Sequence, residues 1–234
     1  MQLFYNPEIN NNTQQILFSK EESRHIIRVL RKKEFDVLDI TNGRDYLFKA
    51  EIQIASDKKC IANIISVEKK EKTWPYYLHI AIAPTKNIDR FEWFLEKATE
   101  IGIDEITPIL CQNSERKVIK QERLEKIVQS AMKQSLKYRI PKLNKLTSLS
   151  DFMESIESNK IYMAHCEDYP KKSLKDITFS NNPITILIGP EGDFSNNEIN
   201  TYKNKTEFIS LGESRLRTET AGLVAVQSIS LLLQ

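Results

Sequence analysis

The chain has 234 residues, 40% hydrophobic and 28% charged, with a formal net charge of +2. That is long enough for one large domain or two modest ones, each with a buried core. No apolar run approaches the ~20 residues of a membrane span, and the start (Met1 to Glu8) has no basic region leading into an apolar stretch, so neither a transmembrane segment nor a signal peptide is expected. Cys60, Cys111 and Cys166 are scattered without CxxC spacing, which points to a reducing, cytoplasmic setting and away from disulfides or bound metal.

The small net charge hides an uneven distribution. Residues 111–145 hold 10 Lys and Arg against 3 Asp and Glu, a local balance of 10 − 3 = +7. A positive strip on a nearly neutral chain suits a polyanionic partner, because phosphate neutralisation with counterion release acts locally. A solvated, lysine-rich helix face has the same composition, and charge alone does not separate the two.

From the N-terminus, Val37–Ile40, Tyr46–Ile52 and Cys60–Val67 alternate apolar and polar residues between turn signals at 42–45 and 56–59. Short alternating runs of this kind predict a small β-barrel over residues 1–70. Arg24, Arg28 and Arg31 are spaced four and three apart, which places them on one face of a short helix. Residues 68–72 and Pro75 form a polar connector, and a second domain is expected over 73–234.

Past the connector the rhythm becomes strand then helix. Strands are expected at 78–83, 106–110, 160–164, 184–188 and 208–211. A helix capped by Asp89 should run to Gly102, a long one should span Gln121–Tyr138, and Ser195 with Glu198 forms a capping box for another. The apolar stretch Thr220–Leu233 reads as a terminal helix that is either core or subunit interface. This alternation predicts an α/β domain built on a mostly parallel sheet.

Four of the six glycines fall in two segments, Leu187 to Phe194 and Leu211 to Gly222. Both lie where an apolar run gives way to a helical pattern, the usual place for ligand loops in open α/β sheets. Glycine lets backbone approach a ligand closely. Several chemistries have no support: GxGxxG, GxxxxGK[ST], GxSxG and HExxH are all absent. His79, inside an apolar strand, reads as a packed histidine.

At these residues the chain resembles the RsmE family of SPOUT methyltransferases. Arg24 to Arg31 resembles the family's N-terminal RVLR element, and Asp89 to Trp93 with Lys97 to Ile103 resembles its "DR.EW…KATELG" helix. Gln134, Ser135, Arg139 and Pro141 resemble its "EQS.R…P" segment; Ile188 to Gly192 and Leu211 to Ala221 resemble its two cofactor loops. GPEG alone is weak, but four ordered elements along nearly the whole chain are specific. Asp193 stands where the family usually has a second glycine, and Ser214 where it commonly has proline; neither position need contribute a side chain.

The resemblance implies a trefoil-knot domain over 73–234 preceded by a PUA-like barrel, a homodimer, and methylation of N3 of a uridine in 16S small-subunit ribosomal RNA. It implies S-adenosyl-L-methionine held in a bent shape by the backbone of three loops: Gly189, Gly192 and Gly212 for close approach, Ile188, Leu211 and Leu216 as apolar walls, and the turn after Ala164. The chemistry needs a cation to stabilise the uridine anion, for which Arg217 is the candidate, and a base, for which Glu219 is the candidate. Glu219 could equally serve only the start of the terminal helix. RNA contacts are expected from Arg24, Arg28, Arg31, Arg116, Lys117, Lys133 and Arg139. A SPOUT enzyme acting on transfer RNA and a non-enzymatic RNA-binding protein remain alternatives, and a cofactor titration would separate the second from an enzyme.

Overall fold

The computed structural model describes residues 2–156, 160–179 and 182–233. The chain forms two compact units, Met1–Lys72 with Met132–Ile140, and Thr73–Ala131 with Pro141–Gln234.

In the first unit, β1 (Leu3–Tyr5), β2 (Gln15–Leu17), β3 (Val37–Thr41), β4 (Tyr46–Ile54) and β5 (Ile61–Lys69) pair in the order β1-β3-β4-β5-β2. Only the β1–β3 pairing is parallel. Register shifts at Lys49/Ala50 and Ile52/Ile54 bend β4 against β5. The sheet encloses a core that includes Phe4, Phe18, Ile26, Ile40, Phe48 and Ile52. At three residues each, β1 and β2 are too short for alternation to announce them.

Helix α1 (Lys20–Arg24), capped by the Ser19 hydroxyl, runs straight into a π-helical turn at His25–Val29. The wider turn breaks the expected arginine face. Arg31 lies beyond the end of the turn with φ 55°, so it does not share a face with Arg24 and Arg28.

The second unit holds an eight-stranded parallel sheet. Its strands are β6 (Leu78–Ile82), β7 (Glu105–Leu110), β8 (Lys142–Leu143), β9 (Thr147–Ser148), β10 (Ile161–Ala164), β11 (Lys172–Ser173), β12 (Ile184–Ile188) and β13 (Thr206–Ser210). The order is β11-β13-β10-β12-β6-β7-β8, with β9 also on β7. Every residue of β6 and β12 is buried, as in a sheet covered on both faces. The helices past the connector are α2 (Ile88–Ile101), α3 (Gln121–Gln134), α4 (Leu149–Ser155), α5 (Asn196–Tyr202) and α6 (Thr218–Leu233).

Three helix ends differ from expectation. The N-cap of α2 is Asn87, whose side chain accepts from Asp89 N, so Asp89 sits in the first turn. Helix α3 stops at Gln134 because Leu136 turns left-handed (φ 54°) and Lys137 N reaches back to Met132 O at 3.0 Å. Residues 132–140 then join the first unit, where Ile140 N donates to Gly43 O at 3.0 Å. Helix α6 begins at Thr218, two residues before the apolar run. Gly222 lets α6 lie close on the sheet, since a Cβ there would meet Ile82 and Phe94 at 2.8 Å.

Candidate functional site

Strands β13, β10 and β12 are neighbours, so the loops leaving their C-terminal ends emerge side by side. Those loops, residues 164–171, 188–193 and 209–218, line a cavity of about 850 Å³. The volume lies in the range of small-molecule and cofactor sites. All seven expected cofactor residues are among its walls: Ala164, Ile188, Gly189, Gly192, Leu211, Gly212 and Leu216. The glycines serve in different ways. A Cβ on Gly189 would press on Phe194 at 3.1 Å and one on Gly192 on Asn113 at 3.2 Å, so a side chain at either would be tight. Gly212 faces open space but sits at φ +135°, so it is needed for backbone conformation.

The loops are fastened to one another by side chains that sequence reading missed. Asp193, left-handed at φ 59°, accepts from Phe194 N through Oδ1 at 2.7 Å and from Cys166 N through Oδ2 at 2.6 Å. The position expected to need no side chain therefore supplies one, as a bridge between two walls of the cavity. Asn113, after β7, donates to Gly192 O at 3.0 Å and Asp193 O at 3.1 Å. Lys171 caps the third loop by donating to the carbonyls of His165 and Glu167. Nothing in the sequence around a lone loop Asn, Asp or Lys distinguishes it from any other.

His165 is 8% exposed, with its ring edge-on to Phe208 and Tyr169 and neither nitrogen hydrogen-bonded. Burial, then the Lys171 ammonium, holds its pKa below the ordinary value, so it is neutral near pH 7. Burial also raises the Cys166 thiol, with Asp193 adding to the effect.

Arg217 is exposed and lines the cavity. Glu219, two residues on, does not line it. Its side chain is buried in the first turn of α6, with Oε1 3.8 Å from Arg90 Nε on α2 and Oε2 without a hydrogen-bond partner. The structure thus brings Arg217, but not Glu219, to the cavity wall.

The expected RNA contacts divide by what their charges already do. Arg116 donates to the carbonyls of Thr85 and Lys86, fixing the loop before α2. Arg139 pairs with Asp45 within the first unit, and Arg28 with Asp57 at 2.7 Å. Arg24, Arg31 and Lys117 are exposed, and Lys133 is half-buried. Among the described residues, no group of three or more His, Cys, Asp or Glu could hold a metal, and no helix is long and apolar enough to cross a membrane.

Residues 72–230 match the model of an RNA methyltransferase domain and residues 18–65 that of an RNA methyltransferase PUA domain. Fold and cavity together define an RNA methyltransferase preceded by a PUA-like unit. Ribosomal RNA small subunit methyltransferase E of Rickettsia conorii is 32% identical across 98% of this chain and 95% of its own. A probable rRNA-methyltransferase from Porphyromonas gingivalis superposes with a TM-score of 0.92 at 40% identity, over 100% of this chain and 98% of that one. A putative methyltransferase from Legionella pneumophila, solved with bound cofactor SAM, gives 0.87 at 28% identity over 98% and 96%. The chain belongs to the ribosomal RNA small subunit methyltransferase E family.

Proposed function

We propose that this protein uses S-adenosyl-L-methionine to methylate N3 of a specific uridine in 16S small-subunit ribosomal RNA. The observation that carries the reading is the cavity: three backbone loops clamped by Asp193 and Asn113, with Arg217 on the wall. The residues fit the cofactor. Gly189 and Gly192 give backbone access, Ile188, Leu211 and Leu216 are apolar surfaces for adenine, and the Ala164–Lys171 loop closes the third side. Bound there, the cofactor supplies a methyl group activated by its sulfonium charge, so positioning carries much of the rate.

The chain's own task is to generate the uridine anion. The Arg217 guanidinium at a carbonyl oxygen would stabilise negative charge as N3 loses its proton. Glu219, buried behind the wall, holds Arg90 and the start of α6 in this reading and so fixes where Arg217 stands; the proton leaves to water at the cavity mouth. Arg24, Arg31, Lys117 and Lys133 take RNA phosphates in this reading. Arg28, Arg116 and Arg139 support the fold that presents them. The protein works in the cytoplasm as a homodimer joined through the outward side of α6, where Leu231 is 71% and Leu232 44% exposed.

The test is to incubate the protein and methyl-labelled cofactor with small ribosomal subunits and map the label. A single 3-methyluridine in 16S RNA is the expected product. Label in transfer RNA, or on a ribose, would overturn the reading.

A further inference from the structure

Phe35 is the most exposed aromatic side chain among the described residues, at 73%. It is also backbone-strained, with φ 70° in the left-handed region that bulky residues avoid. The turn that carries it is rigid. Phe35 N donates to Ile52 O at 2.9 Å, Asp36 N to Lys33 O at 3.2 Å, Ile52 N to Asp36 O at 3.0 Å, and Lys33 N to the Asp36 carboxylate at 2.8 Å. A fixed turn therefore holds an aromatic ring out in water, at a conformational cost, with the ring left out of the core.

The surroundings are cationic. Arg31 and Lys33, four and two residues before Phe35, are exposed, and Lys58 and Lys59 are exposed on the β4–β5 turn. That turn lies at the same end of the unit, tied to the π-helical turn by the Arg28–Asp57 pair. Residues 28–37 and 54–59 hold six Lys and Arg against three Asp and Glu, a balance of 6 − 3 = +3. Two of the three carboxylates are engaged, Asp36 by Lys33 N and Asp57 by Arg28. An aromatic face set among cations is what an unpaired nucleotide needs: the base stacks on the ring while flanking phosphates meet the charges.

We propose that Phe35 is a stacking platform for one unpaired RNA base, with Arg31, Lys33, Lys58 and Lys59 on the neighbouring phosphates. This rests on the ribosomal RNA reading above and adds a single-stranded contact in the N-terminal unit, remote in sequence from the cofactor loops.

The experiment measures binding of a fluorescent single-stranded RNA 12-mer and a blunt duplex of equal length to full-length Phe35→Gly, Phe35→Leu and Phe35→Trp proteins. Glycine accepts the left-handed backbone, so Phe35→Gly should hold its Tm or raise it by about 2–4 °C. Its single-strand affinity should nevertheless fall on the order of 5–100-fold, the range for losing one stacked base. Duplex affinity should not move. Phe35→Leu should lose affinity as well, whereas Phe35→Trp should keep it, with its fluorescence quenched by RNA. Single-strand affinity within twofold of wild type in Phe35→Gly would overturn the platform. So would a loss confined to assembled subunits with free RNA unaffected, which would assign the ring to a ribosomal protein. If wild type methylates no ribosomal RNA while Phe35→Gly still weakens single-strand binding, the proposed function fails and the platform stands.

Discussion

The carboxylate of Asp193 closes on the backbone of Cys166, Oδ2 to N at 2.6 Å, and thereby ties the loop after β12 to the loop after β10. Its other oxygen takes Phe194 N, so one side chain holds two walls of the cavity. Replacing it with glycine relieves the left-handed backbone but removes two charge-assisted hydrogen bonds. Asp193→Gly should weaken S-adenosylmethionine binding by about tenfold, with kcat at saturating cofactor much less affected. Asp193→Asn, which keeps one acceptor oxygen, should fall between. Calorimetry showing wild-type affinity for Asp193→Gly would make the bridge dispensable.

Two adjacent residues in the basic strip should behave differently. The Arg116 guanidinium is engaged by the Thr85 and Lys86 carbonyls, while Lys117 is exposed. Arg116→Ala should cost about 1–3 kcal/mol of stability and leave the salt dependence of RNA binding unchanged. Lys117→Glu should do the reverse, holding Tm while lowering the salt slope by roughly 1. Equal salt slopes for Lys117→Glu and wild type would place the phosphate contacts elsewhere.

Arg217 and Glu219 make a sharper pair. Arg217→Ala should cut single-turnover methylation on the order of 10²–10³-fold, the range for one preorganised charge-stabilising donor, with little change in cofactor affinity. Glu219→Gln should lower Tm, since it weakens the contact with Arg90 across α2 and α6. Its rate should follow the wild-type pH profile from 6.5 to 9.5. A Glu219→Gln rate that is low at pH 7 and recovers as pH rises would instead restore Glu219 as the proton acceptor.

His79 gives a pH dependence whose sign is fixed. Burial pushes its pKa down to about 4 despite the nearby Glu105 carboxylate, and its Nε2 lies 2.7 Å from the Thr107 hydroxyl. The unfolded chain therefore binds a proton that the folded one refuses between about pH 6.5 and 4. Stability should be fully present above that window and fall through it on acidification, by about 3 kcal/mol in total. A His79→Gln variant should flatten the profile in denaturant titrations at pH 7, 5.5 and 4.5. An unchanged slope would mean other groups set it.

The outward side of α6 should govern association. Leu231→Asp with Leu232→Asp should give monomers by sedimentation at micromolar concentration and lose activity. Double-variant dimers would move the interface off this helix.

Much of this protein was legible in the sequence. Regular alternation along 37–67, and strand–helix rhythm past residue 76, reflect where each side chain must point to bury its apolar face, so they announce β3–β5 and most of the α/β unit. The glycines at 189, 192 and 212 marked the loops that line the cavity, because a missing Cβ or a positive φ is a local requirement that only one residue type meets cheaply. Other features were decided only by contacts between distant segments. Residues 135–138 do not continue α3 to Tyr138 as expected, because Tyr138 to Ile140 bond instead to Gly43 and Asp45. For Arg116, Arg139 and Glu219 the sequence shows the charge but not the contact. A charge in a sequence carries no record of its partner, and the carbonyls of Thr85 and Lys86, the carboxylate of Asp45 and the guanidinium of Arg90 reach them only through the folded chain.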